Sequence, residues 1–325
     1  MHDSKLKIAP RIETIKSDAD FENLVRDSYN LQKRIVPTFN EFIRLSDRFN
    51  SNEHIFLPIE LFKSHRINSE PTQELEFKSS GTTETGRRST HFVYDRSLYE
   101  TLSTKHFEMN YGSLKSQMIM AYLPNYIDNG QSSLVHMVET FARLTGQGFS
   151  PFISNDEEIL KRIKEGNQTY RQVILIGVSF ALLDWADKVQ KDDTPFILME
   201  TGGMKGRRKE LTREELHAQL KSAFPNADIH SEYGMTELLS QAYSNDGNWF
   251  DLPPWAKAVA TDVNDPYQIL PPGKRGLLAF VDLANIHSCS FIQSRDIGIV
   301  NSKGSFTVEG RLDNSDIRGC NLLHV

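Results

Sequence analysis

The chain of 325 residues carries only two cysteines, Cys289 and Cys320. Two thiols make no disulfide scaffold, and no CxxC pair offers the spacing of a structural zinc site. Long apolar runs are also missing. The longest, Val173 to Leu183, falls short of the ~18 residues that a membrane span needs. The opening segment MHDSKLKIAPRIETIKSD has no apolar core of leader length, so no secretion is expected and a reducing cytoplasm is the simple reading. No charge of one sign dominates: 37 Lys and Arg face 43 Asp and Glu, a net −6 that leaves no general footprint for nucleic acid. Repeats and low-complexity tracts are absent. What is present is a globular composition, 38% hydrophobic, with length enough for two domains or one large domain with a subdomain.

The first seventy residues read mainly as helix. Ser17 with Asp18 and Asp20 marks a capped, acidic start before FENLVRDSYNLQKRIV, Pro37 closes that segment, and a second helix is expected from Phe39 to Phe49. From Leu75 onward, β-type runs (SQMIMAYLP, GQGFSPFI, RQVILIG, FILMETGG, ADIHSEYG) alternate with amphipathic helical ones, the pattern of a layered α/β fold. After about Trp249 the helical spacing stops, and WAKAVATDV, GLLAFVDL, SFIQSRDIGIV and FTVEGRLD read as strands joined by turns. The expected organisation is α/β over 1–250, with a helical N-terminal segment, and a β-rich subdomain over 251–325.

Two stretches concentrate chemistry. FKSSGTTETGRRS, Phe77 to Ser89, packs hydroxyls, glycines and arginines into one loop, which suits either an ordinary polar turn or a wrap around phosphate. As a Walker A loop it departs at both functional positions. Arg87 and Arg88 stand where a lysine and a magnesium-binding hydroxyl belong, so a P-loop enzyme fits poorly. HSEYGMTE, His230 to Glu237, sits where a strand is expected to give way to a helix. Tyr233 offers a face for a base, Gly234 a sharp turn, Thr236 a donor, and Glu237 a hard oxygen for a divalent cation. Singly, a tyrosine packs and a glutamate near a helix start caps.

Together the stretches resemble the acyl-adenylate-forming superfamily. SSGTTETGRR looks like its phosphate loop and EYGMTE like its adenine-stacking and magnesium-binding motif. The order also matches: Ser79 to Arg88, then Thr201 to Gly203, then Tyr233 to Glu237, then Asp296 in SRDIG, then Gly310 to Asp313 in GRLD. Within it, ETGGMKGRRKELTREEL and NSDIRGC are most similar to the acyl-protein synthetase branch, the long-chain-fatty-acid luciferin-component ligases. That branch resembles phenylacetate-CoA ligases in the large domain, and its small C-terminal domain is expected to be absent here because only a short tail follows Arg311. The resemblance implies an α/β adenylating domain that joins a fatty acid to AMP using ATP and Mg2+.

Residue by residue, it implies that Ser79, Ser80, Gly81, Thr82, Thr83, Gly86 and Arg87 hold the outgoing phosphates. Tyr233 and Gly234 would receive adenine beside Gly202 and Gly203, Thr236 the α-phosphate, Glu237 magnesium, and Asp296 with Arg311 the ribose. Longer relatives carry an activating lysine in the missing domain, and Lys205, in a basic run with Arg207, Arg208 and Lys209, is a substitute to test. A charge run is also what a solvated face looks like. For the acyl acceptor, β alternation puts Cys289 on a face with Phe291 and opposite Ser288 and Ser290, as a packed thiol. Cys320, near the C-terminus as in the family, reads either as acyl carrier or as an inert core thiol. A carrier would deliver to a protein partner, an acyl reductase. His136 is a gate candidate, and Ile176, Gly177, Val178 and Phe180 are candidate walls of an acyl pocket. The alternatives are an acyl- or aryl-CoA ligase and a non-catalytic nucleotide-binding relative.

Overall fold

Local signals decide the first elements. Ser17 accepts from the Asp20 N–H while the Asp20 carboxylate accepts from the Ser17 N–H, a reciprocal cap that starts α1, Asp18–Ile35. Acidic Asp18 and Asp20 open this helix and Lys33 and Arg34 close it, matching its dipole. Helix α2, Pro37–Ser46, begins two residues before the expected Phe39. Proline there costs nothing, because the first helical N–H has no intrahelical acceptor. In this computed structural model, residues 8–46, 55–69, 72–79, 88–124, 126, 130–203 and 211–312 are described. Its contacts divide the chain into two units, Met1–Gln73 with Pro254–Val325, and Glu74–Pro253. The first unit continues with the short β1, Leu57–Pro58.

The second unit opens with an antiparallel hairpin of β2, Leu75–Lys78, and β3, Thr90–Val93. Helix α3, Arg96–Tyr111, follows under an Asp95 cap. Then come β4, Gln117–Tyr122; α4, Ser133–Thr145; α5, Ile159–Thr169; β5, Gln172–Val178; α6, Ser179–Ala186; β6, Ile197–Thr201; α7, Arg213–Ala223; β7, Asp228–Tyr233; and β8, Ala242–Ser244. They form one sheet ordered β4-β5-β6-β7-β8, parallel except for β8. Helices bridge each parallel step, as such connections require. Strands β5 and β6 are buried almost throughout, so they read as continuous apolar runs. The Val173–Leu183 run is one such strand turning directly into α6. Among the described residues no helix is long and apolar enough to cross a membrane.

Two expected strands are corrected. GQGFSPFI makes only an isolated bridge between Ala121 and Phe152. Gly146 and Gly148 take positive φ of 72° and 65°, and Pro151 has no N–H to donate, so the ladder cannot run.

The first unit resumes with β9, Ala256–Thr261; β10, Arg275–Asp282; β11, Phe291–Ile299; and β12, Gly310–Arg311. These are antiparallel neighbours in that order, and β1 joins β11 in parallel. FTVEGRLD contributes only β12 and a Val300–Phe306 bridge, the second correction. Its chain runs so close to β11 that a Cβ at Gly298 would collide with the Thr307 carbonyl oxygen.

Cys289 is fully buried, and its Sγ donates to the Phe291 carbonyl at 3.3 Å. Ser288 and Ser290 are buried as well, so the three residues do not sort into a buried and an open face. The chain is not yet in β11 at these positions. Gln32 of α1 holds the segment instead, donating to the Asn285 and Ile286 carbonyls and accepting from the Ser290 N–H at 2.9 Å.

Candidate functional site

In the parallel sheet, Val178, Thr201 and Glu232 are register partners across the carboxyl ends of β5, β6 and β7. In open α/β sheets this is the edge where ligands bind. Immediately beyond the row lie two of the expected motifs. Gly202 turns with φ 71° and Gly203 follows, both exposed, and no atom of the described residues stands within 4 Å of where a Gly203 Cβ would be. One strand over, Tyr233 is half-buried, with its ring 5.8 Å from that of Phe250. The sheet thus brings Thr201–Gly203 and Tyr233–Glu237 side by side.

No helix follows Tyr233, contrary to expectation. Tyr233 already pairs with Ala242 of antiparallel β8, so the chain must reverse between them, and a Leu238 N–H to Met235 carbonyl bond of 3.2 Å closes that turn. Thr236 is half-buried on it and Glu237 is buried, 6% exposed.

His91 of β3 reaches this turn, its Nδ1 donating to the Thr236 carbonyl at 2.9 Å. Burial pushes the His91 pKa down to about 4, so the ring is neutral at pH 7 and carries its proton on Nδ1. The same hairpin frames the expected phosphate loop. Ser79 donates its N–H to the Ser89 carbonyl at 3.0 Å and accepts the Ser89 N–H on Oγ at 3.1 Å. The loop residues Ser80, Gly81, Thr82, Thr83, Gly86 and Arg87 lie outside the described residues, as do Lys205 with its basic run and Cys320.

Beneath the carboxyl edge are two buried carboxyl groups that sequence reasoning passed over. Glu200 accepts from Ser179 Oγ at 2.8 Å and from Arg213 Nε at 3.3 Å, with His217 Nε2 at 3.6 Å. Burial opposes its ionisation, but these donors outweigh it and hold its pKa below the usual carboxylate value. Glu232 accepts from Thr201 Oγ1. Burial first, and the Glu200 charge second, push its pKa up to about 7 against the effect of that bond. The available signal was an acidic residue one position before the carboxyl end of both β6 and β7.

Asp296 and Arg311 are register partners on β11 and β12 in the first unit, brought opposite each other from separate motifs. His136 is bound to Glu100 Oε1 at 3.0 Å, and Glu100 also receives Arg143 at 2.6 Å. Ile176, Val178 and Phe180 are buried, and a Cβ at Gly177 would strike Leu182. This stretch is therefore filled core within its unit and not the wall of an open pocket. A cavity of about 270 Å³ lies instead at the amino-terminal edge of β4 and β5, lined by Met118, Phe149, Arg162, Glu165, Gly166, Thr169 and Tyr170.

No family model matches the sequence, and no curated protein does. Solved structures do match. ATP-bound MatB from Rhodopseudomonas palustris is 18% identical with TM-score 0.52, over 75% of this chain and 49% of that one. A luciferase-like enzyme from the nonluminescent mealworm Zophobas morio is 16% identical with TM-score 0.54, over 77% and 59%. An o-succinylbenzoate CoA synthetase from Bacillus subtilis, bound to a product analogue, is 13% identical with TM-score 0.53, over 75% and 50%. The chain has the fold of the adenylate-forming enzymes. It spans about half the length of the first of these structures. The expected fold class, an α/β adenylate-forming large domain, is the observed one.

Proposed function

We propose that this chain activates a fatty acid with ATP and transfers the acyl group to Cys320 as a thioester, for delivery to an acyl reductase. The observation that supports the reading best is that the Thr201–Gly203 and Tyr233–Glu237 turns leave neighbouring strands, joined at Thr201 and Glu232, at the carboxyl edge of a parallel sheet in this fold. In the first step, a carboxylate oxygen of the acid attacks the α-phosphorus of ATP, and pyrophosphate leaves with the electron pair of the broken P–O bond. In the second, the Cys320 thiolate attacks the acyl carbonyl and AMP departs. Tyr233 presents a face to adenine beside Gly202 and Gly203, Thr236 donates to the α-phosphate, and the Ser79–Arg87 loop receives the leaving phosphates. Asp296 and Arg311 take the ribose hydroxyls, and Lys205 supplies a cation to the reacting carboxylate.

The donor set suits Mg2+. Among the described residues no cluster of three metal-binding side chains exists. Magnesium at a nucleotide needs only one or two carboxylates besides phosphate oxygens, and Glu237 on the turn is such a group. Bound there, the ion would neutralise phosphate charge.

Intact-protein mass after incubation with ATP, Mg2+ and a fatty acid tests the reading. One hydroxylamine-sensitive acyl group per chain is expected, absent from Cys320→Ala. Label that persists in that variant removes Cys320 as acceptor, and no acyl-adenylate at all removes the activity. For Glu237→Ala, pyrophosphate release should fall at least about a hundredfold with folding retained. A second reading, transfer to coenzyme A, draws support from the CoA synthetase among the similar structures. Acyl-CoA formed without any protein-bound acyl group would replace the first reading.

A further inference from the structure

Glu232 precedes the Tyr233–Glu237 motif and has no role in the function proposed above. It is buried, 7% exposed, and its two carboxylate oxygens are committed in different directions. Oε2 takes the Thr201 hydroxyl. Oε1 lies beneath Gly234, where an added Cβ would stand only 2.5 Å from it. The φ of Gly234 is outside the left-handed region, so any penalty on alanine there comes from this side-chain contact and not from backbone strain. One carboxyl group therefore joins the last residue of β6 to the glycine of the neighbouring turn.

We propose that Glu232 is a positioning residue that sets the spacing of the Thr201–Gly203 and Tyr233–Glu237 turns, and through them the affinity for an adenine nucleotide. This rests on the nucleotide reading above. The charges around Glu232 give the device a direction. Glu200 of β6 is its anionic neighbour, and the phenols of Tyr99 and Tyr111 on α3 and Tyr243 on β8 face it. Arg213 and His217 of α7 pair with Glu200 instead. Ionised Glu232 therefore places a second buried negative charge beside Glu200, with no cation of its own among the described residues. That charge repels both Glu200 and an incoming polyphosphate, whereas the protonated group still accepts the Thr201 hydroxyl without that repulsion.

The test uses the full chain and four variants, Glu232→Gln, Glu232→Ala, Gly234→Ala and the Glu232→Ala/Gly234→Ala double variant. ATP affinity is measured by calorimetry from pH 6 to 8.5, together with KM and kcat for pyrophosphate release. Wild-type affinity should fall as pH rises through about 7, roughly tenfold over the range, while Glu232→Gln stays flat and tight. Glu232→Ala should hold KM for ATP at every pH about tenfold above the wild-type value at pH 6, and change kcat less. Gly234→Ala should lower the melting temperature, and adding Glu232→Ala should restore part of the loss, because the contact is removed from its other side.

ATP affinity in Glu232→Ala equal to that of wild type at pH 6, a wild-type pH profile in Glu232→Gln, or strictly additive melting shifts would each overturn the assignment. A wild type that binds ATP but releases no pyrophosphate discards the proposed activity and leaves the binding comparison decisive. A wild type that binds no ATP at any pH overturns both.

Discussion

His91 holds a motif residue through its backbone, and its buried neutral ring makes stability depend on pH. In the unfolded chain a histidine takes up a proton near pH 6.5, whereas folded His91, and His106 for the same reason of burial, do so only at about 4. The unfolded state therefore binds more protons in this window, and stability falls as pH drops from about 6.5 to about 4. Glu232 has the opposite sign: its pKa is raised to about 7, so its share of stability is complete below about 4.5 and is lost as pH rises through about 7. His91→Asn keeps a donor near the Nδ1 position without titrating, and should flatten the acid-side slope by up to about 3 kcal/mol. His91→Phe leaves the Thr236 carbonyl without that donor and should cost about 1–3 kcal/mol at pH 7. Urea unfolding at pH 7 and pH 4.5 reads both; an acid slope in His91→Asn equal to wild type would show that His91 does not carry it. Such residues were illegible in the sequence for a physical reason. His91 and Thr236 are 145 positions apart, and Glu232 and Thr201 are 31 apart, so no local spacing announces either pair. TGG and YGMTE were legible because each is a contiguous turn.

Regular elements declare themselves where burial has a period. Ile159, Ile163 and Gly166 fall on the buried face of α5, and β5 and β6 are apolar because both faces are covered. Where glycine and proline set the backbone path, as in GQGFSPFI, the apolar pattern survives without a strand. Strand β8 was missed because it is short, and missing it made the Tyr233–Glu237 segment read as a helix start instead of a reversal. Gly166 tests packing against propensity. Alanine in a helix interior is worth about 1 kcal/mol over glycine. Here, however, its Cβ would meet the Met118 sulfur and lie 2.8 Å from Val173 Cγ2. Methionine can move aside, but the χ1 of a β-branched valine is stiff, and overpacking costs about 1–3 kcal/mol. Gly166→Ala should therefore lower stability by about 1 kcal/mol net, and Val173→Ala added to it should cost less than Val173→Ala alone. A higher melting temperature for Gly166→Ala would mean that propensity wins and that the contact relaxes freely.

At the scale of the molecule, the two units differ in how the chain makes them. Glu74–Pro253 is continuous, and its sheet, its bridging helices and the core around β4, β5 and β6 all come from that one stretch. The other unit needs residues from both sides of it. Local patterning conveys the first kind of unit readily, since each βα step follows the last. It has no means of showing that Phe291 of β11 will stack on Phe39 of α2, with centroids 6.0 Å apart, or meet Tyr29 of α1 edge-on at 5.0 Å. The same difference governs folding of the parts. A fragment of residues 74–253 retains its core and should unfold cooperatively on heating, with mixed helix and sheet circular dichroism. Residues 254–325 alone keep β9 to β12 but lose Gln32, which holds Asn285, Ile286 and Ser290, and expose the Phe291 ring. A small sheet with no helix to cover its Phe291 face buries too little apolar surface to be stable by itself. That fragment should show no cooperative transition by itself and should regain one when residues 1–73 are added. A cooperative transition in 254–325 alone would mean that its strands make a core without the N-terminal helices.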